Sequence, residues 1–128
     1  MEPAIEKETS RDDLLRQGFH PMTQKELLES INGNTVRGDY EYSGHRIYKT
    51  FMDPNGEMEA KNDWGSEEFG SWSVDEKGHL TVSWEGYWEE WTAVAFLIEG
   101  ELKFYNIEDG SWQTTFHEVM PGRQTLDI

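Results

Sequence analysis

From Asn34 onward, turn-forming clusters recur at short intervals: Ser43-Gly44, Asp53-Pro54-Asn55-Gly56, Glu76-Lys77-Gly78, Glu85-Gly86, Glu99-Gly100, Glu108-Asp109-Gly110 and Pro121-Gly122. Between them lie segments rich in Tyr, Trp, Phe, Val, Ile and Thr, which favour a pleated, half-buried backbone. This punctuation predicts strands near 34–42, 45–53, 57–63, 70–75, 79–85, 88–98, 101–107 and 111–119. The connections are mostly of hairpin length, so neighbours in sequence should pair as an antiparallel meander. An open sheet of about eight short strands would expose two edges, and closure removes both. The expected fold is therefore mainly β: a small antiparallel up-and-down β-barrel with one or two short N-terminal helices. A two-sheet sandwich is the alternative.

Alternation within the segments supports strands. Trp72 and Val74 share one face; Leu80, Val82 and Trp84 share another, opposite His79, Thr81 and Ser83; Val36, Gly38, Tyr40 and Tyr42 share a third. Residues 92–98 are apolar on both faces, which predicts cover on both. Before the strands, Ser10-Arg11-Asp12-Asp13 and Thr23-Gln24-Lys25-Glu26 each set a hydroxyl three residues ahead of a carboxylate, the spacing of a capping box. Gly18 should end the first helix, and Asn32-Gly33 the second. Leu27, Leu28 and Ile31 give the second helix an apolar face suited to packing over one barrel mouth or against an open edge. Residues 1–9 lack apolar period and read as a flexible tail, leaving 10–128 as one domain.

Charge narrows the choice of partner. Asp and Glu number 26 against 11 Lys and Arg, a formal net charge of −15. Such a surface repels phosphate and anionic lipid, so neither nucleic acid nor a membrane is an expected partner. The chain has no Cys, which excludes disulfides, thiolate metal sites and a Cys nucleophile. Aromatic content of 13%, with 6 Trp, argues against general disorder. The longest apolar run, residues 93–98, is strand-sized, and residues 1–8 lack the apolar stretch of an export signal.

Catalytic signatures are sparse. No phosphate-binding glycine loop, nucleophile elbow or paired-histidine metal motif occurs. His20, His45, His79 and His117 are dispersed, and no metal or cofactor is expected. Asp53-Pro54-Asn55-Gly56-Glu57 alternates oxygen donors, but its glycine and closing acid do not fit a calcium loop, so it reads as a hairpin turn. Trp84-Glu85-Gly86-Tyr87-Trp88-Glu89-Glu90-Trp91 interleaves indoles with carboxylates. Its glutamates read as solvated charge beside a turn, while Trp84 and Trp91 read as inward-facing. Trp72, Trp84, Trp91, Phe104, Trp112 and Tyr48, with small Gly70, Ala93 and Ala95 among them, are the candidate lining of an interior cavity.

The capped helix running into Gly33-Asn34-Thr35-Val36 resembles the opening of small bacterial lipocalin-like (calycin-like) β-barrel domains of unknown function. So do Phe69-Gly70-Ser71-Trp72-Ser73-Val74 and Gly78-His79-Leu80-Thr81-Val82-Ser83-Trp84, a glycine-x-tryptophan strand followed by a strand ending in tryptophan. The resemblance covers about residues 23–121. It implies a barrel, small-ligand binding and an exported, periplasmic setting in preference to the cytoplasm. The glycine-x-tryptophan lies mid-chain, whereas lipocalins proper carry it on the first strand, so no lipocalin binding residue transfers. The expected function is non-catalytic binding of a small apolar or aromatic molecule. Two alternatives stand beside it. One is a small-barrel cyclase, isomerase or lyase using an interior acid or base, with Tyr40, Tyr48 and His117 as candidates. The other is an acidic protein that occupies a basic partner.

Overall fold

Both capping boxes form. In α1 (Arg11–Arg16), Ser10 Oγ accepts from the Asp13 N–H while the Asp13 carboxylate accepts from the Ser10 N–H; in α2 (Gln24–Ile31), Thr23 and Glu26 do the same. Each box satisfies amide groups that the first helical turn leaves without partners. The structure, a computed structural model, describes residues 10–42, 44–63, 65–85 and 90–126, with the side chains of 40–46 outside that set. The expected tail at 1–9 and the tip of the Trp84–Trp91 segment lie outside the described residues.

Eight strands follow: β1 (Thr35–Tyr42), β2 (Gly44–Met52), β3 (Glu57–Asn62), β4 (Glu67–Val74), β5 (Leu80–Trp84), β6 (Trp91–Ile98), β7 (Glu101–Asn106) and β8 (Trp112–Met120). Each pairs antiparallel with the next, and β8 returns to β1, closing the barrel in the expected up-and-down order. Two boundaries depart from the sequence expectation. β4 starts at Glu67 rather than residue 70, because Glu67, Glu68 and Phe69 pair with Lys61, Ala60 and Glu59 despite the two consecutive glutamates. β6 starts at Trp91, and its Glu90 neighbour is already loop. The Asp53–Glu57 segment is the hairpin turn expected: the Gly56 N–H donates to the Asp53 carbonyl at 2.9 Å, and the Asn55 N–H to its carboxylate at 3.0 Å.

Two apolar clusters account for the packing. Inside the barrel, Val36, Met52, Met58, Trp72, Leu80, Val82, Leu102, Phe104 and Phe116 surround Met22, Leu27 and Ile31, which α2 and its preceding linker push into one end. The second helix thus plugs a mouth. Outside, Leu14 of α1 covers Val94, Phe96 and Tyr105, with Phe19, Ile98, Ile107 and Trp112 at the margin. That outer cover explains why β6 is apolar on both faces. β5 begins only at Leu80, opposite Ala93, and beyond that pair the Met22 N–H donates to the Ala95 carbonyl at 2.8 Å, so the linker satisfies the exposed edge of β6. No helix among the described residues is long and apolar enough to cross a membrane.

Candidate functional site

The two ends of the barrel differ. At the plugged end lie α2, the turns at residues 53–56, 75–79 and 99–100, and the C-terminal segment, which is tied to β1 through Thr35 Oγ1 and Asn34. Toward the other end, side chains of β2, β3, β4, β5, β6 and β8 and of the β3–β4 loop line an open cavity of about 80 Å³. The described wall is mostly apolar: Met52, Met58, Ala60, Val82 and Phe116 form the deeper part, with Tyr48, Trp84 and Trp91 nearer the mouth. Lys61, Asn62, Ser66 and Glu68, where β3 passes to β4, add polar groups close to solvent.

Local sequence explains how large rings come to line this space instead of filling it. Gly38 pairs across the sheet with Tyr48, and Gly70 with Trp84. A Cβ on Gly38 would stand 2.8 Å from the Tyr48 hydroxyl oxygen and 2.9 Å from its ring; one on Gly70 would stand 3.1 Å from the Trp84 ring. Each ring therefore lies across bare backbone, a place only glycine leaves open. Tyr48 meets Phe116 edge-on at 6.5 Å between centroids, and Trp91 rests on Phe104 at 6.4 Å. The rings are held by the wall, with the lumen beside them.

Hydrogen bonding orders one side of the cavity. Thr114 Oγ1 donates to the Asp39 carbonyl at 2.7 Å, which uses its only proton; the Tyr48 hydroxyl, 2.5 Å away, must then donate to Thr114. Asn62 Oδ1 accepts from the Ser66 N–H at 3.0 Å and braces the β3–β4 loop. Thr50, between Tyr48 and Met52 on β2, is 3% exposed, and its hydroxyl has no partner among the described residues.

Of the six lining residues expected from sequence, Tyr48, Trp84 and Trp91 stand in the cavity wall. Trp72 faces inward but belongs to the packed, plugged half, where its indole N–H donates to the Asp53 carbonyl at 3.0 Å. Phe104 is fully buried behind Trp91 and Phe116. Trp112 points outward and joins the cluster under α1. Its reversal has a cause in register: Phe104 pairs with Thr114 but Tyr105 with Trp112, so Gln113 is an extra residue that turns Trp112 onto the outer face beside Tyr105. Ala93 and Ala95 are also not in the wall. Both are fully buried in the cluster that receives Leu27 and Ile31, so their small size serves the plug. The rest of the wall was not anticipated, including Thr50, Met52, Met58, Ala60, Val82 and Phe116. Period-two spacing after Tyr48 was the signal available for Thr50.

His117, a candidate interior base, lies on the barrel exterior. Arg37 pairs with Glu118 and Gly38 with Phe116, leaving His117 as the extra residue of a second bulge. Its Nδ1 is 2.7 Å from Glu101 Oε2 and its Nε2 2.8 Å from Asp39 Oδ1. Carboxylates only accept, so both ring nitrogens donate and the imidazole is held as the cation. Partial burial opposes that charge, but the hydrogen bonds to Glu101 and Asp39 and their attraction outweigh it, raising the His117 pKa. Glu101 is lowered for the complementary reason: burial would raise it, and its bond to His117, with the pull of His117 and Lys103, prevails. Tyr40's side chain lies outside the described residues, so Tyr48 is the one of the three acid–base candidates seen in the wall.

Comparison with known protein families, curated proteins and solved structures finds no match.

Proposed function

We propose that this chain is a non-catalytic, lipocalin-like binding protein that holds a small, flat, mainly apolar molecule in the unplugged half of its barrel. The observation that carries the reading is the aromatic and aliphatic cavity opposite α2, whose rings are laid against glycine so that the lumen stays open. Removing apolar surface from water contributes about 25 cal/mol per Å². A well-oriented contact with an indole adds about 0.5–1.5 kcal/mol. For a bicyclic ring of eleven non-hydrogen atoms, a Kd of about 10 µM requires only ~0.6 kcal/mol per atom, within the range of small ligands.

The test is a calorimetric titration with 2-methylnaphthalene. Wild-type protein should bind near that affinity, and Ala60→Leu, which adds bulk to the cavity wall, should lose most of the binding while melting at or above the wild-type temperature. Equal binding by the two proteins would place the ligand elsewhere, and no binding by the wild type would refute the reading.

A further inference from the structure

We infer that the molecule bound in this cavity is uncharged and carries one hydroxyl or carbonyl group, which hydrogen-bonds to Thr50 Oγ1 while the rest of it lies against the apolar wall. This rests on the binding function proposed above and specifies its ligand class. Four threonines are buried among the described residues. Thr35 bonds to the Gly122 carbonyl and the Gln124 N–H, Thr114 to Tyr48 and the Asp39 carbonyl, and Thr115 to the Trp112 indole. Thr50 and Thr114 are the two that line the cavity, and of the four only Thr50 has no partner among the described residues.

An unpaired buried hydroxyl is unfavourable, and valine has nearly the same shape, so packing alone gives no reason for oxygen here. Its closest companions along the wall, Met52, Met58 and Ala60, offer nothing polar from their side chains. Oγ1 is itself sealed within the wall, so a ligand oxygen would supply the missing bond once rotation about χ1 turns the hydroxyl to the lumen. Glu68 pairs with Ala60, the cross-strand partner of Thr50, so an anionic group reaching Thr50 would meet a like charge, and a cationic one would exchange its hydration for one partly solvated carboxylate amid apolar side chains. A neutral polar head, inserted first, satisfies Thr50 and leaves the ring body beside Trp84 and Trp91.

The experiment compares 2-naphthol with 2-methylnaphthalene, which differ by hydroxyl against methyl, in calorimetric titrations of wild type, Thr50→Val and Thr50→Ser. Wild type and Thr50→Ser should prefer 2-naphthol by about three- to tenfold, the effect of one neutral hydrogen bond. Thr50→Val should bind both alike and should melt no lower than wild type, since it removes an unsatisfied group. If wild type binds both without preference, as when a trapped water already serves Thr50, or if the preference survives in Thr50→Val, the inference is overturned while the binding function stands. If neither compound binds the wild type, the binding function fails and the inference falls with it.

Discussion

The two halves of this barrel use the same strands and the same kinds of side chain, yet one is solid and the other hollow. At the plugged end, Leu27 and Ile31 from α2 are fully buried among Trp72, Leu80, Ala93 and Ala95. At the other end, Tyr48, Trp84 and Trp91 stand only half-buried around free space. The aromatic residues do not decide which half is hollow: Trp72 and Trp84 are inward residues on adjacent strands and fall on opposite sides of the divide. What decides it is the helix. An eight-residue segment that buries Leu27 and Ile31 and packs Leu28 beside them fills one mouth, and among the described residues nothing equivalent enters the other.

Breaking the plug should have the largest effect. Leu27→Ala should lower stability by about 2–5 kcal/mol, because a fully buried side chain leaves a cavity behind, and chemical denaturation would read the loss. Ala93→Leu comes next, at about 1–3 kcal/mol, since it forces extra volume against the plug; it should leave ligand affinity nearly unchanged. Trp91→Ala should invert that pattern, weakening ligand binding at least tenfold while costing less stability than Leu27→Ala. Should Ala93→Leu abolish binding without loss of stability, the two halves would not be distinct.

A smaller effect belongs to the exterior clamp between β1, β7 and β8. His117 has its pKa raised on folding, so its contribution is full below the ordinary value of 6.5 and is lost as pH rises through the folded value. Glu101 has its pKa lowered, so its contribution is present above the ordinary 4.5 and is lost as pH falls through the folded value. Stability should therefore gain most from the clamp between pH 4.5 and 6.5. The gain should be no more than about 1 kcal/mol, because the groups are partly solvated. His117→Gln should lower stability across that window and remove the fall above it, without altering ligand affinity. The smallest effect concerns net charge: at −15, self-repulsion should be screened over about 10 Å in 0.1 M salt, and the melting temperature should rise modestly with added salt.

The pattern of success in the sequence follows the range of the forces involved. Helix caps are local, and Ser10–Asp13 and Thr23–Glu26 were readable outright. Strand order followed from hairpin-length turns. Inward and outward faces were readable as far as strict alternation holds, which includes Tyr48, Trp84 and Trp91. They failed at Trp112, where the extra residue Gln113 shifts the register with no compositional mark. The same limit applied to His117, whose outward position depends on a bulge against β1. Trp72, Phe104, Ala93 and Ala95 were correctly inward, but whether an inward residue meets solid core or empty space depends on where α2 docks, a contact between segments far apart in sequence.

The most direct test follows the indole N–H resonances of the tryptophans during titration with 2-naphthol. Trp84 and Trp91 should shift progressively with ligand. Trp72, bonded to the Asp53 carbonyl, and Trp112, bonded to Thr115 on the exterior, should stay in place. Movement of Trp72 or Trp112 with Trp84 and Trp91 unchanged would contradict the division of the barrel into a plugged half and a binding half.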